Sequence, residues 1–170
     1  MNRSYFVAYV FVILIISYLG GVLLYRKTSA ETSVALLKLV DERVFLGTEL
    51  PIWKILLPLI ILIGLILFFA THRWLAPLTL LVGTGKTVYF GFTSGFLIEQ
   101  QSSIVPYAIW WFPFQLMVSL LLILFCLVVA PPFFLHRNFE FNQKKVLIVI
   151  AGLAIGISLI ETVVYRLVVL

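Results

Sequence analysis

The sequence predicts an all-α fold: a polytopic transmembrane helix bundle forming a single integral membrane domain over residues 1–170. Three observations carry this reading. Hydrophobic residues make up 63% of the chain and charged residues 11%, too few charges to cover the surface of a soluble domain. The apolar residues come in long runs that match the about 20 residues a helix needs to cross a bilayer. The alternating segments of about 10 residues that mark a membrane β-barrel are missing, and a lipid-exposed backbone must otherwise satisfy its own hydrogen bonds as a helix.

Five runs read as spans: Tyr5 to Tyr25, Ile52 to Ala70, Leu75 to Ile98, Ile104 to Phe134, and Val146 to Val169. The first follows Asn2-Arg3 and exceeds the about 7–15 apolar residues of a signal-peptide core, so it is read as a retained span. The fourth is longer than a bilayer requires, and Pro106, Pro113 and Pro131-Pro132 are its expected kink points, because proline removes a backbone donor and crowds the preceding turn.

The one substantial polar connection runs from Arg26 to Pro51. Thr28-Ser29-Ala30-Glu31 fits a capping box, and Leu36, Leu37, Val40 and Val44 then recur at helical spacing. This predicts a short amphipathic helix over 29–46, closed by Gly47. Lys38, Asp41 and Glu42 fall largely on its other faces. Two placements stay open: a helix lying on the membrane surface, and a helix capping the bundle.

Basic residues are tied between the two sides of the membrane. The turn Glu99-Gln100-Gln101-Ser102-Ser103 carries no basic residue and is expected to face outward. That places the N-terminus in the cytoplasm, and the C-terminus and the amphipathic helix outside, in the cytoplasmic membrane. Trp53, Trp74, Trp110 and Trp111 fall near predicted span ends, where indole rings anchor at headgroup level.

The third span holds the candidate functional residues. Gly83, Thr87, Gly91 and Gly95 are spaced by four and form a small-residue stripe; Gly152 and Gly156 repeat the device in the fifth span. Such stripes let helices approach closely in lipid, either within the bundle or against a partner or a second copy of the chain. Lys86 lies well inside the third span and Glu161 inside the fifth. Intramembrane charges face the bundle interior, a wet path or an anionic partner. With both helices running the same way, the two differ in depth by about five residues, roughly 7 Å, which long side chains bridge. A Lys86–Glu161 pair is therefore expected, with Glu99–Arg166 as a second pair at the outer ends.

Catalytic chemistry finds no foothold. His72 and His136 stand singly near span ends, and neither H-E-x-x-H nor G-x-S-x-G occurs. Gly83-Thr84-Gly85-Lys86-Thr87 resembles a phosphate-binding loop but lacks its spacing and a preceding strand. Cys126 is the sole cysteine, so no disulfide forms within the chain. No cofactor, metal or nucleic-acid partner is expected.

The run Lys86-Thr87-Val88-Tyr89-Phe90-Gly91-Phe92-Thr93-Ser94-Gly95-Phe96-Leu97-Ile98-Glu99-Gln100 resembles the stage II sporulation protein M family, which carries a lysine followed by a small-residue-rich stretch in a span at the same place. Leu159-Ile160-Glu161-Thr162-Val163-Val164 is similar to the glutamate segment of that family's last helix. The order of one span, an outer polar segment and four further spans also resembles it. The chain is somewhat shorter than the sporulation protein, and Leu135 to Lys145 has no recognisable counterpart. The resemblance implies a non-enzymatic scaffold that recruits membrane-anchored peptidoglycan hydrolases, of the stage II sporulation protein D and P kinds, at a remodelling cell envelope. Under it, Lys86, Gly91, Gly95 and Glu161 are family-like positions. A permease-like subunit working with a separate ATPase is the alternative from another class. An enzyme acting on lipid is a third reading, and it lacks the polar cluster it needs.

Overall fold

The computed structural model describes residues 3–45, 50–72, 74–100, 105, 107–130 and 143–168. Among these the regular structure is entirely helical, in the order α1 (Arg3–Lys27), α2 (Ala30–Val40), a 3-10 turn (Glu42–Phe45), α3 (Ile52–Ala70), α4 (Ala76–Gln100), a π-helical turn (Tyr107–Trp111), α5 (Phe112–Val129) and α6 (Gln143–Val168). Gly47, Pro106, Pro131-Pro132 and His136 lie outside the described residues.

Among the described residues four helical stretches are long and apolar enough to cross a membrane: Tyr5–Lys27, Ile52–Ala70, Tyr107–Val129 and Lys145–Val168. The sequence counts five, and the difference is α4. It is 25 residues long, but Gly83-Thr84-Gly85-Lys86-Thr87 and Thr93-Ser94-Gly95 dilute its apolar content. Its position explains that composition. It packs along α1, α3 and α5, and the five residues from Phe90 to Ser94 are all buried. A helix enclosed by neighbours does not need the lipid-facing surface that its companions carry. The fourth predicted span is also revised: a π-helical turn leads into α5, with Pro113 in the first turn of α5, where its missing N–H costs nothing.

One end of the bundle is closed by a cluster of large side chains. Tyr25 from the end of α1, Phe96 and Leu97 from the end of α4, Trp110 and Trp111 from the π-helical turn, and Tyr165 from the end of α6 bury one another. Leu37 of α2 and Val44 of the 3-10 turn complete the cluster, each fully buried. Of the two placements open for the polar connection, α2 thus caps the bundle. Only part of its predicted face is used, because Leu36 and Val40 are exposed and Ser33 is buried instead. The helix also ends at Val40, short of the predicted 46, where Asp41 turns extended and its N–H bonds Leu37 O. The Trp110 and Trp111 rings are 5.2 Å apart and wholly enclosed, so they are core residues and not headgroup anchors. Trp53 and Trp74 are exposed, as anchors would be.

The start of α2 is shifted by one residue from the predicted box. Ser29 is the N-cap: its Oγ accepts the Thr32 N–H at 3.3 Å and bonds Thr32 Oγ1 at 2.8 Å. Thr28 instead closes α1, donating from Oγ1 to Leu24 O. Ser29→Ala is expected to lower stability by about 1 kcal/mol in detergent unfolding, the usual loss of a serine cap. Thr28→Ala should have the smaller effect.

Candidate functional site

The small-residue stripe of α4 serves two neighbours. Four residues advance a helix about 40° past a full turn, so a stripe of that spacing drifts around the axis. At Gly83 it faces α5, where a Cβ would come to 2.8 Å from Cys126 Sγ. At Gly91 and Gly95 it faces α1: a Cβ on Gly91 would overlap Tyr18 O, and one on Gly95 would meet the Tyr25 ring at 2.7 Å. The first helix answers with Gly21, whose missing Cβ makes room for Val88 O and Phe92 N. Thr87 is buried in the same stripe and bonds Gly83 O. These positions are consumed by packing inside the bundle. Gly152 and Gly156 are not: nothing lies within 4 Å of where their Cβ atoms would stand.

A chain of polar side chains crosses the bundle beneath the aromatic cluster. Asp41, at the end of α2, takes the Arg43 guanidinium side-on, with Nε donating to Oδ1 at 2.9 Å and Nη2 to Oδ2 at 2.7 Å. The Arg43 backbone N–H also donates to Oδ1 at 3.1 Å. Arg43 Nη2 pairs with Glu161 Oε1 of α6 at 3.1 Å. Gln115 Nε2 of α5 donates to the same oxygen at 3.0 Å, and Lys86 Nζ of α4 donates to Gln115 Oε1 at 2.8 Å. The amide orientation follows from its neighbours, since the carbonyl must face the ammonium and the NH2 the carboxylate. The formal charges of Arg43 and Lys86 balance those of Asp41 and Glu161. Arg43 further lies 5.7 Å from the Trp110 ring and 5.9 Å from the Tyr165 ring. Burial works against the Arg43 charge, but Glu161 and Asp41 outweigh it and hold the guanidinium above its ordinary pKa.

The sequence expectation of a Lys86–Glu161 pair is corrected in its details. Both belong to one network, but Gln115 stands between them and the direct cation on Glu161 is Arg43. The helical spacing puts Asp41 on one of the other faces of the amphipathic segment and does not mark Arg43 or Gln115. Gln115 had a readable signal: it is a lone amide inside an apolar run, where an unpaired polar group is expensive. Arg43 had none, because a cation on an amphipathic segment ordinarily points to water. Glu99 and Arg166 are both exposed, and they form no ion pair among the described residues. His72 is exposed, and among the described residues no group of three or more His, Cys, Asp or Glu is placed to hold a metal.

A cleft of about 890 Å³ runs from the polar connection along α3 and α4 and reaches Lys86, Gln115 and Glu161. Compared with family models, with curated proteins and with solved structures, the chain matches none.

Proposed function

We propose that this chain is a non-enzymatic membrane scaffold whose five helices α1, α3, α4, α5 and α6 cross the bilayer and present a docking face to partner membrane proteins. The observation that carries this reading is the closed polar chain from Asp41 to Lys86. Its two cations balance its two carboxylates, Arg43 by direct pairing and Lys86 through the Gln115 amide, which makes them a brace holding the 3-10 turn, α4, α5 and α6 in one arrangement. Five crossings are supported by the packing of α1 on α4, where Tyr18 meets Gly91 and Tyr25 meets Gly95 in parallel order. Two parallel helices with α3 between them require α3 to return across the membrane. At 25 residues α4 is about 37 Å long, more than the about 30 Å of a hydrocarbon core. In this arrangement the N-terminus is cytoplasmic, and the aromatic end, with α2 and the C-terminus, is outside, in the cytoplasmic membrane of a bacterium.

The docking face is the outer side of α6, where Gly152 and Gly156 are bare and Leu153 and Ile160 are exposed. The partners fitting the sequence resemblance are membrane-anchored peptidoglycan hydrolases acting in sporulation engulfment. A second reading, a permease-like subunit working with a separate ATPase, draws support from the cleft that reaches Lys86 and Glu161. Affinity purification of the tagged chain in mild detergent, with mass spectrometry of the co-purifying proteins, separates the two. The scaffold should recover wall hydrolases and lose them on Gly152→Val with Gly156→Val, at unchanged stability of the bundle. Recovery of a nucleotide-binding subunit would overturn it in favour of transport.

A further inference from the structure

We propose that the cleft between α3 and α4 is a binding site for an anionic membrane phospholipid, with the headgroup at the polar connection and an acyl chain along the two helices. The cleft joins two chemistries. Its length is walled by Leu57, Ile61 and Leu65 of α3 and by Leu81 and Val82 of α4. Of these, Leu57, Ile61, Leu65 and Leu81 are 40–66% exposed, so the described residues cover them only in part. Its end is lined by Lys38, Lys54 and Lys86.

The charge at that end is unbalanced. Arg43 and the carboxylates of Asp41, Glu42 and Glu161 also line the cleft, so its four cations exceed its three carboxylates by one, and Asp41 and Glu161 are both engaged by Arg43. Among the described residues Lys38 and Lys54 form no ion pair, whereas Lys86 belongs to the balanced polar chain. Lys38 lies over the Phe45 ring and Lys54 over the adjacent Trp53 ring, weak contacts at 5.8 and 5.9 Å that leave both ammonium groups able to take an anion.

An apolar trough ending in a net positive charge selects an amphiphile with a negative head. A free anion would leave the trough unfilled, and a zwitterionic head would bring a like charge to the lysines. The volume falls within the about 300–1,000 Å³ of small-molecule sites, enough for a headgroup and part of one chain. Exposed Trp53 sits at the mouth, as an indole at headgroup depth does. The site is separate from the bare face of α6, so it stands whether or not partners dock there.

The test is native mass spectrometry of the full chain released from nanodiscs of phosphatidylcholine and phosphatidylglycerol in equal parts. Phosphatidylglycerol should be retained about thirtyfold over phosphatidylcholine, as two near-surface lysines at about 1 kcal/mol each would give. Lys38→Gln with Lys54→Gln should bring the two lipids to parity without changing the unfolding temperature. Gly85→Leu should displace the lipid on its own, because Gly85 lines the cleft and nothing lies within 4 Å of its missing Cβ. Equal retention of the two lipids by the parent overturns the site, as does a preference that survives both variants. Inorganic phosphate stabilising the detergent-solubilised chain as strongly as phosphatidylglycerol does would overturn the lipid as its occupant.

Discussion

Glu161→Ala should lower the stability of the bundle by about 3–5 kcal/mol, the largest loss expected of any single side chain here. The carboxylate is 1% exposed and its Oε1 accepts from both Arg43 and Gln115. Its removal leaves Arg43 and Lys86 facing Asp41 alone, so one positive charge in a buried network has no counterion. The Gln115 NH2 and one arm of the Arg43 guanidinium lose their acceptor at the same time. Alanine also leaves a void between α5 and α6 where water or lipid cannot restore these bonds without opening the packing. Thermal or denaturant unfolding in detergent measures the loss. Asp41→Ala should be milder, because the Asp41 side chain is 14% exposed and Arg43 would keep Glu161.

Gly91→Val should cost about 3 kcal/mol, the upper part of the range for overpacking, because the collision is with backbone. A Cβ there overlaps the carbonyl of Tyr18, which belongs to an α1 turn that cannot rotate away. The helix must move off α4 as a body, and the reciprocal contact of Gly21 with Val88 and Phe92 is lost with it. The Tyr18 ring, 4.9 Å from Phe90, would be displaced by the same movement. Gly152→Val, on a helix of the same bundle, meets nothing within 4 Å and should change stability by less than about 0.5 kcal/mol. Comparing the two in one detergent unfolding series separates a glycine needed for packing from one that is exposed.

Helix positions were legible in the sequence because lipid imposes a length and a composition that a run such as Ile52 to Ala70 displays directly. The helix α4 was legible as a helix, but its composition reflects enclosure by neighbours, which a hydropathy reading does not distinguish from weak membrane affinity. Close approach was legible as a four-residue spacing, though not the choice of neighbour: the same stripe meets α5 at Gly83 and α1 at Gly91. Lys86 and Glu161 announced themselves as charges at bilayer depth. What joins them did not. Gln115 is uncharged, and Arg43 enters the bundle from a segment whose pattern is that of a surface helix. It does so because Asp41 breaks α2 and the following 3-10 turn points the guanidinium inward beside the Trp110 and Tyr165 rings. A long-range contact of that kind depends on tertiary geometry that local pattern does not encode.

The intramembrane charges are held here to be a balanced brace, and a double-mutant cycle on Lys86→Met and Glu161→Gln tests that most directly. Each single substitution upsets the two-against-two charge balance in the opposite sense, and their combination restores it. In detergent unfolding the double variant should be more stable than the sum of the single losses by about 1–3 kcal/mol, the coupling expected within one polar network. Losses that simply add, or single variants as stable as the parent, would contradict the brace and leave Lys86 and Glu161 as groups lining a path.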